Sequence, residues 1–143
     1  MTTITIGDGE ILNALGKAHG RALGEAAMAL KATISTTAAV ICGPGRCFCS
    51  GSDSREFVHA SADGVRTAFV AIAAGLLAVG DIPVPTVAAI EGVAAVAVCQ
   101  LALACDLQLM GSSARIGMPT SQLEFSCRRS SPTGRIGPSG TGT

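Results

Sequence analysis

Residues able to do chemistry concentrate in the run Gly92-Val-Ala-Ala-Val96-Ala97-Val98-Cys99-Gln100-Leu-Ala-Leu-Ala-Cys105-Asp106, preceded by Pro83-Val-Pro85-Thr-Val-Ala-Ala-Ile90-Glu91. The layout is a short apolar strand, a glycine turn, and small residues opening a helix. Such a layout aims backbone N–H groups at an anionic oxygen. The polar side chain standing where an acid or base would work on that helix is Gln100, and an amide does not serve as a general acid or base near neutral pH.

A second segment, Gly45-Arg46-Cys47-Phe48-Cys49-Ser50-Gly51-Ser52-Asp53, mixes small and polar residues around one phenylalanine. Gly43-Pro44-Gly45 follows an apolar run, as a dinucleotide loop would. The third glycine of that fingerprint is replaced by Phe48, and no acidic partner sits about twenty residues on in a strand-end context. Cys42, Cys47 and Cys49 match no common zinc spacing and lack a second ligand pair. Cys99 and Cys105 lie in apolar surroundings and read as small packed hydrophobes. A cysteine nucleophile would need His19 or His59 as its base. His19 falls on the polar side of a helix. His59 follows the Phe48–Phe57 loop and faces either a pocket or solvent, solvent being the simpler reading.

The elements that must position these groups alternate. Residues 3–6 form a strand closed by the turn Gly7-Asp8-Gly9. From Leu15 the period turns helical, with Leu15, Ala18, Ala22, Ala26, Ala29 and Leu30 on one face and Lys17, Arg21 and Glu25 on the other. Ala38–Cys42 is a buried strand, residues 46–57 a loop, and residues 63–79 a helix whose Val65, Phe69, Ile72, Leu76 and Val79 share a side. Thr86–Ile90 is a second buried strand, a helix runs from near Val96 to about Ala104, and Leu107–Met110 is a third strand. This order predicts an α/β fold with parallel, buried strands. After Ser126 the chain loses any apolar period and turns to Gly, Ser, Pro and Thr, predicting a core over 1–125 and a disordered tail over 126–143.

With 143 residues, 48% apolar, 3% aromatic and no Trp or Tyr, a single core must be built from Ala, Val, Ile and Leu. The formal net charge is zero, which offers no general pull toward nucleic acid or anionic membrane. The charge is uneven, because Arg128, Arg129 and Arg135 follow residue 126 with no acidic residue among them. No basic and apolar leader opens the sequence, so its six cysteines predict reduced thiols and a cytoplasmic location rather than a disulfide framework. No uninterrupted apolar stretch reaches membrane-spanning length.

Taken together, the two segments and Ala114-Arg115-Ile116-Gly117-Met118-Pro119 resemble the crotonase superfamily, also called the enoyl-CoA hydratase/isomerase family. Its patterns are Gly-Arg-x-Phe-Cys/Ser-Ala/Ser-Gly-x-Asp, then Ile-Pro-x-Pro, a strand and Gly-x-Ala-x-Gly-Gly-Gly-x-Glu-Leu-Ala-Leu-Ala-Cys-Asp, then Ala-Arg-Phe-Gly-x-Pro-Glu. The opening Thr3-Ile-Thr-Ile and Ile11-Leu-Asn-Ala-Leu15 resemble the family's early strand and helix entry. The match runs from about Thr3 to Met118, in order.

The resemblance implies a spiral of β-β-α units, incomplete at the C-terminal end. It implies an acyl-CoA partner, with coenzyme A as part of the substrate and no other cofactor or metal. The backbone N–H groups of Ser52 and Ala97 would hold the thioester oxygen. Ser50, Gly51 and Asp53 map to the segment that lines the ligand, Ser50 near the adenine. Asp53 and Asp106 match positions that are mostly structural.

Three departures stand beside these implications. The family's three glycines are Val96, Ala97 and Val98, whose valines either crowd the thioester or pack into the core. The two glutamates used for hydration map to Gln100 and Thr120, neither of which is suited to proton transfer. Other rim candidates are Asp53, Glu56 and His59, while Glu124 is the nearest carboxylate downstream. Family members also run to roughly twice this length. The missing first strand, later spiral turns and trimer-forming C-terminal helices, with the abrupt change near Phe125, suggest a truncated or frameshifted product. The competing expectation is a remnant or interaction module without catalysis.

Overall fold

The computed structural model describes residues 1–117 apart from Asp8, Glu10 and Val96. Apolar runs form strands β1 (Thr2–Thr5), β2 (Ala39–Cys42) and β3 (Thr86–Ile90), and Val93–Ala95 forms a short β4. β5 (Leu107–Met110) and β6 (Arg115–Gly117) follow later. The helices are α1 (Lys17–Ala32), α2 (Arg55–Val58), α3 (Ala62–Gly80) and α4 (Ala97–Ala104). One parallel sheet runs β1-β2-β3-β5, and a smaller parallel pair joins β4 to β6.

The small pair belongs to a second layer. After β1 the chain reaches Leu15, after β2 it reaches Cys49–Ser52, after β3 it forms β4, and after β5 it forms β6. These pieces pair in parallel in the same order: Leu15 with Ser52, Cys49 with Ala94, and β4 with β6. Helices α1, α3 and α4 close the first three units. The predicted α/β spiral of β-β-α units is therefore the observed architecture. Its core gathers Leu15, Ile41, Phe48, Ile72, Ile90 and Leu101, all almost completely buried.

Several expectations shift. Leu15 precedes α1 instead of opening it, and the buried face of α1 is Gly20, Leu23, Ala27 and Leu30. Ala18, Ala22 and Ala29 are exposed. The cause is the crossing with α3, where a Cβ on Gly75 would overlap the Gly20 carbonyl oxygen. Such a close approach turns the glycine face inward, and counting apolar side chains passes over it. In α3, Ile72, Leu76 and Val79 are buried as predicted, but Phe69 is partly exposed and stacks on Phe57.

The expected loop over 46–57 ends in α2, since Asp53 Oδ1 accepts the Arg55 N–H at 3.0 Å and starts a helical turn. β5 is a sheet edge with all four residues exposed, where its apolar run predicted burial. By length and composition α3 is apolar enough to cross a membrane, while its uninterrupted apolar run stays short of that length, as the sequence predicts. Its alanines carry that hydropathy past Asp63 and Arg66, while Ala68, Ile72, Gly75, Leu76 and Val79 are buried. The boundary at 125, the tail over 126–143, Thr120 and Glu124 lie outside the described residues.

Candidate functional site

Ser52 is placed by the second layer. Leu15 donates its N–H to the Gly51 carbonyl at 2.7 Å and accepts the Asp53 N–H at 2.9 Å. Those two bonds use the groups on either side of Ser52. The Ser52 N–H, one residue out of phase, is turned away from Leu15, and no hydrogen bond among the described residues uses it. On the other flank, Cys49 donates to Val93 O at 3.0 Å and accepts the Ala95 N–H at 3.2 Å. Three residues beyond Cys49 and Ala94, the partners of that bridge, stand Ser52 and Ala97.

Ala97 is the first residue of α4. N–H groups in a first helical turn have no acceptor within their own helix and carry the positive end of its dipole. Gly92 controls the approach to this turn. Its φ is +62°, and a Cβ there would overlap the Arg46 carbonyl oxygen. Its own carbonyl accepts the Arg115 N–H at 2.7 Å. One glycine thus seats the loop before Ser52, the start of β4 and the start of β6 together.

For Val98 the structure decides between crowding and packing: the side chain is fully buried in the core with Leu101 and Ala102. Val96 lies outside the described residues. Cys99 is buried, and its thiol donates to Gly117 O at 3.0 Å and lies 3.4 Å from Ala94 O. Gln100 is exposed. At the far end of α4, Asp106 Oδ2 accepts the Thr86 N–H at 2.7 Å and the Thr86 hydroxyl at 2.8 Å. These bonds hold the Asp106 carboxyl below its ordinary range and tie the end of α4 to the start of β3.

Candidate acid and base groups have other engagements. Asp53 receives the Arg55 guanidinium at 3.1 and 3.0 Å, and that side chain's hydrogen bond leads the causes that hold the carboxyl low. A carboxylate so stabilised is a weak base. Glu56 Oε2 accepts the Lys17 N–H at 2.9 Å, at the start of α1. His19, expected on a solvated face, accepts the Gly16 N–H on Nδ1 at 3.1 Å. His59 is exposed at the end of α2. Burial pushes the Cys49 and Cys105 thiols up to about 11, unlike a poised nucleophile. Among the described residues no cluster of three or more His, Cys, Asp or Glu is arranged for a metal.

Sequence reasoning passed over Asn13. It is 1% exposed, with φ +58°, a region asparagine enters more readily than most residues. Its Nδ2 donates to Pro44 O at 3.0 Å and Cys47 O at 2.6 Å, while Oδ1 accepts the Gly9 N–H at 2.9 Å. Asn13 therefore shapes the 43–47 turn that leads into Ser52. The early Asn-Ala-Leu signal was visible as a helix entry, without this link to a loop thirty-four residues away.

Comparisons with known proteins agree with this architecture. A family model for enoyl-CoA hydratase/isomerase matches residues 1–126. The mitochondrial methylglutaconyl-CoA hydratase of Homo sapiens is 35% identical over 113 residues, covering 78% of this chain and 33% of that protein. A solved enoyl-CoA hydratase/carnithine racemase from Magnetospirillum magneticum superposes with a TM-score of 0.80 at 28% identity, over 89% of this chain and 49% of that one. An enoyl-CoA hydrotase/isomerase family protein from Silicibacter pomeroyi gives 0.75 at 35% identity, over 85% and 52%. The chain spans about a third of the length of its first relatives and about half that of the matched structures. The second-layer spiral and the family match over most of its length agree: the chain belongs to the enoyl-CoA hydratase/isomerase family.

Proposed function

We propose that this chain binds an acyl-CoA thioester and holds its carbonyl oxygen between the backbone N–H groups of Ser52 and Ala97. The observation that carries this reading is the parallel Cys49–Ala94 bridge, whose register leads to Ser52 on one strand and to the first turn of α4 on the other. The CoA-directed names of the relatives favour the same ligand class. Two N–H donors aimed at one oxygen polarise a thioester and stabilise the enolate formed when charge moves onto that oxygen. Each such donor can be worth about a hundredfold or more in rate.

The segment Ser50–Asp53 borders the ligand in this reading, with Ser50 toward the adenine. Gly51 and Asp53 serve mainly by pairing with Leu15 and thereby orienting Ser52. Hydration further requires one group to activate water and another to deliver a proton, each typically worth about a hundredfold or more. Gln100 and Thr120 supply neither. Asp53 is paired with Arg55, and Glu56 is engaged at α1. We therefore propose polarisation and binding of the thioester without ordinary hydratase turnover.

A thermal-shift titration with short-chain acyl-CoA thioesters tests this. A saturable upward shift that a bulky Ser52→Trp substitution abolishes supports the pocket. No shift in the unsubstituted chain would instead indicate a retained fold without the ligand. Robust hydration of crotonyl-CoA surviving both Gln100→Ala and Thr120→Ala would contradict the mechanistic part.

A further inference from the structure

We infer that Glu56 is a positioning residue for the Ser52 N–H, acting as a long-range cap that fastens the segment after Ser52 to the N-terminus of α1. The inference rests on the thioester reading of Ser52 and Ala97. Gly16 precedes α1 and has no side chain with which to cap it. The vacancy is filled from α2: the Glu56 carboxylate accepts the Lys17 N–H at 2.9 Å, across 39 residues. A carboxylate there satisfies an otherwise orphaned amide and faces the positive end of the helix dipole.

Glycine at residue 16 leaves room for this carboxylate where it stands, since a Cβ there would overlap Glu56 Oε1 and make the side chain shift. The Gly16 backbone is extended, at φ −101° and ψ −176°, so the requirement comes from the carboxylate rather than from the dihedrals. Between Ser52 and Glu56 the chain is one compact turn. The Glu56 N–H donates to Asp53 O at 3.1 Å, and the Phe57 N–H to Ser54 O at 3.1 Å. Movement at Glu56 therefore reaches Ser52 through few bonds.

Other holds on the turn include the Asp53 N–H to Leu15 O bond and the Phe57–Phe69 stack, with ring centroids 5.0 Å apart. Leu15 and Lys17 flank Gly16. The strand end that pairs with Gly51 and Asp53 and the helix start that receives Glu56 thus lie within three residues. Ser52 is enclosed by a loop whose two closures, at Leu15 and Lys17, meet where the chain enters α1. Opening the Glu56 closure removes the hold on the C-terminal side of Ser52 that reaches α1, while the Leu15 and Cys49 bonds remain. The amide then samples orientations that miss the thioester oxygen, and the expected loss is confined to the carbonyl contact, leaving affinity for CoA in place.

The test compares affinities for an acyl-CoA thioester and for its thioether analogue, which lacks the carbonyl oxygen, with free CoA as the third ligand. Their ratio reads the carbonyl contacts and does not respond to a general loss of fold. The unsubstituted chain prefers the thioester. Glu56→Ala lowers that preference about tenfold, the worth of one aligned hydrogen bond, with affinity for CoA unchanged. Glu56→Gln, which keeps an acceptor, retains most of it. Gly16→Ala, whose Cβ makes the carboxylate shift without straining the backbone, lowers the preference in the same direction and carries the test should that variant fail to fold. The Gly16→Ala/Glu56→Ala double variant is no worse than Glu56→Ala alone. A thioester preference unchanged in both Glu56→Ala and Gly16→Ala, or equal losses for all three ligands, overturns the inference. Absence of any preference in the unsubstituted chain overturns the thioester reading itself, and this inference with it.

Discussion

The two amides proposed to share one oxygen come from unlike structures. Ala97 opens a regular helix, and helical geometry orients its N–H, with Val98, Leu101 and Ala102 buried beneath it. Ser52 lies in irregular chain and is oriented from outside, by Leu15, by β4 through Cys49, and by the turn fastened at Lys17. Local geometry protects the first amide against changes elsewhere. The second depends on residues far away in sequence, so remote substitutions should reach it first.

The largest effect is expected where both halves meet. Gly92→Val places a β-branched side chain at φ +62° and against the Arg46 carbonyl oxygen. A loss of about 3 kcal/mol or more follows from strain and overlap together. Denaturant unfolding reads that loss, and thioester binding should disappear with it. A variant as stable as the parent would show that the two halves are not joined at Gly92.

Asn13→Ala should separate the halves. It removes a buried side chain that holds Pro44 O, Cys47 O and the Gly9 N–H. Leaving such groups unpaired costs about 2–3 kcal/mol. Amide exchange should accelerate around 43–53 while α4 keeps its protection. Equal acceleration in both regions would erase the distinction between them.

Asp106→Asn probes the other half and should act least. The loss near neutral pH is about 1 kcal/mol, from weakened bonds to Thr86. Because the folded carboxyl lies below its ordinary value of 3.8, its stabilisation is complete above about pH 4 and is lost as pH falls through the lower folded value. The parent should lose stability in that acid window more steeply than Asp106→Asn. Parallel acid profiles would remove Asp106 from the account.

This difference also explains what could be read from the sequence. Thr86–Ile90, the helix through Leu101 and the Asp106 end were legible because their signals are periodic or local. The chemical departures at Gln100 and Thr120 were legible as residue types against the family pattern. The second layer was implied by the family resemblance alone, because its contacts at Leu15, Cys49 and Ser52 are single residues with no period of their own. The inward face of α1 was not legible, since Gly20 selects it by lacking a side chain. Glu56 could be picked out only as a rim carboxylate, since the amide it caps is brought near by the fold alone.

The central claim is that a thioester oxygen sits on the Ser52 and Ala97 amides, and Ala97→Pro tests it most directly. Proline is well tolerated at the first helical position and lacks an N–H, so the substitution deletes one donor while leaving α4 in place. Calorimetry with an acyl-CoA thioester and its thioether analogue should show the parent preferring the thioester and Ala97→Pro losing about tenfold of that preference, at a nearly unchanged melting temperature. An undiminished preference in a folded Ala97→Pro protein would contradict the account.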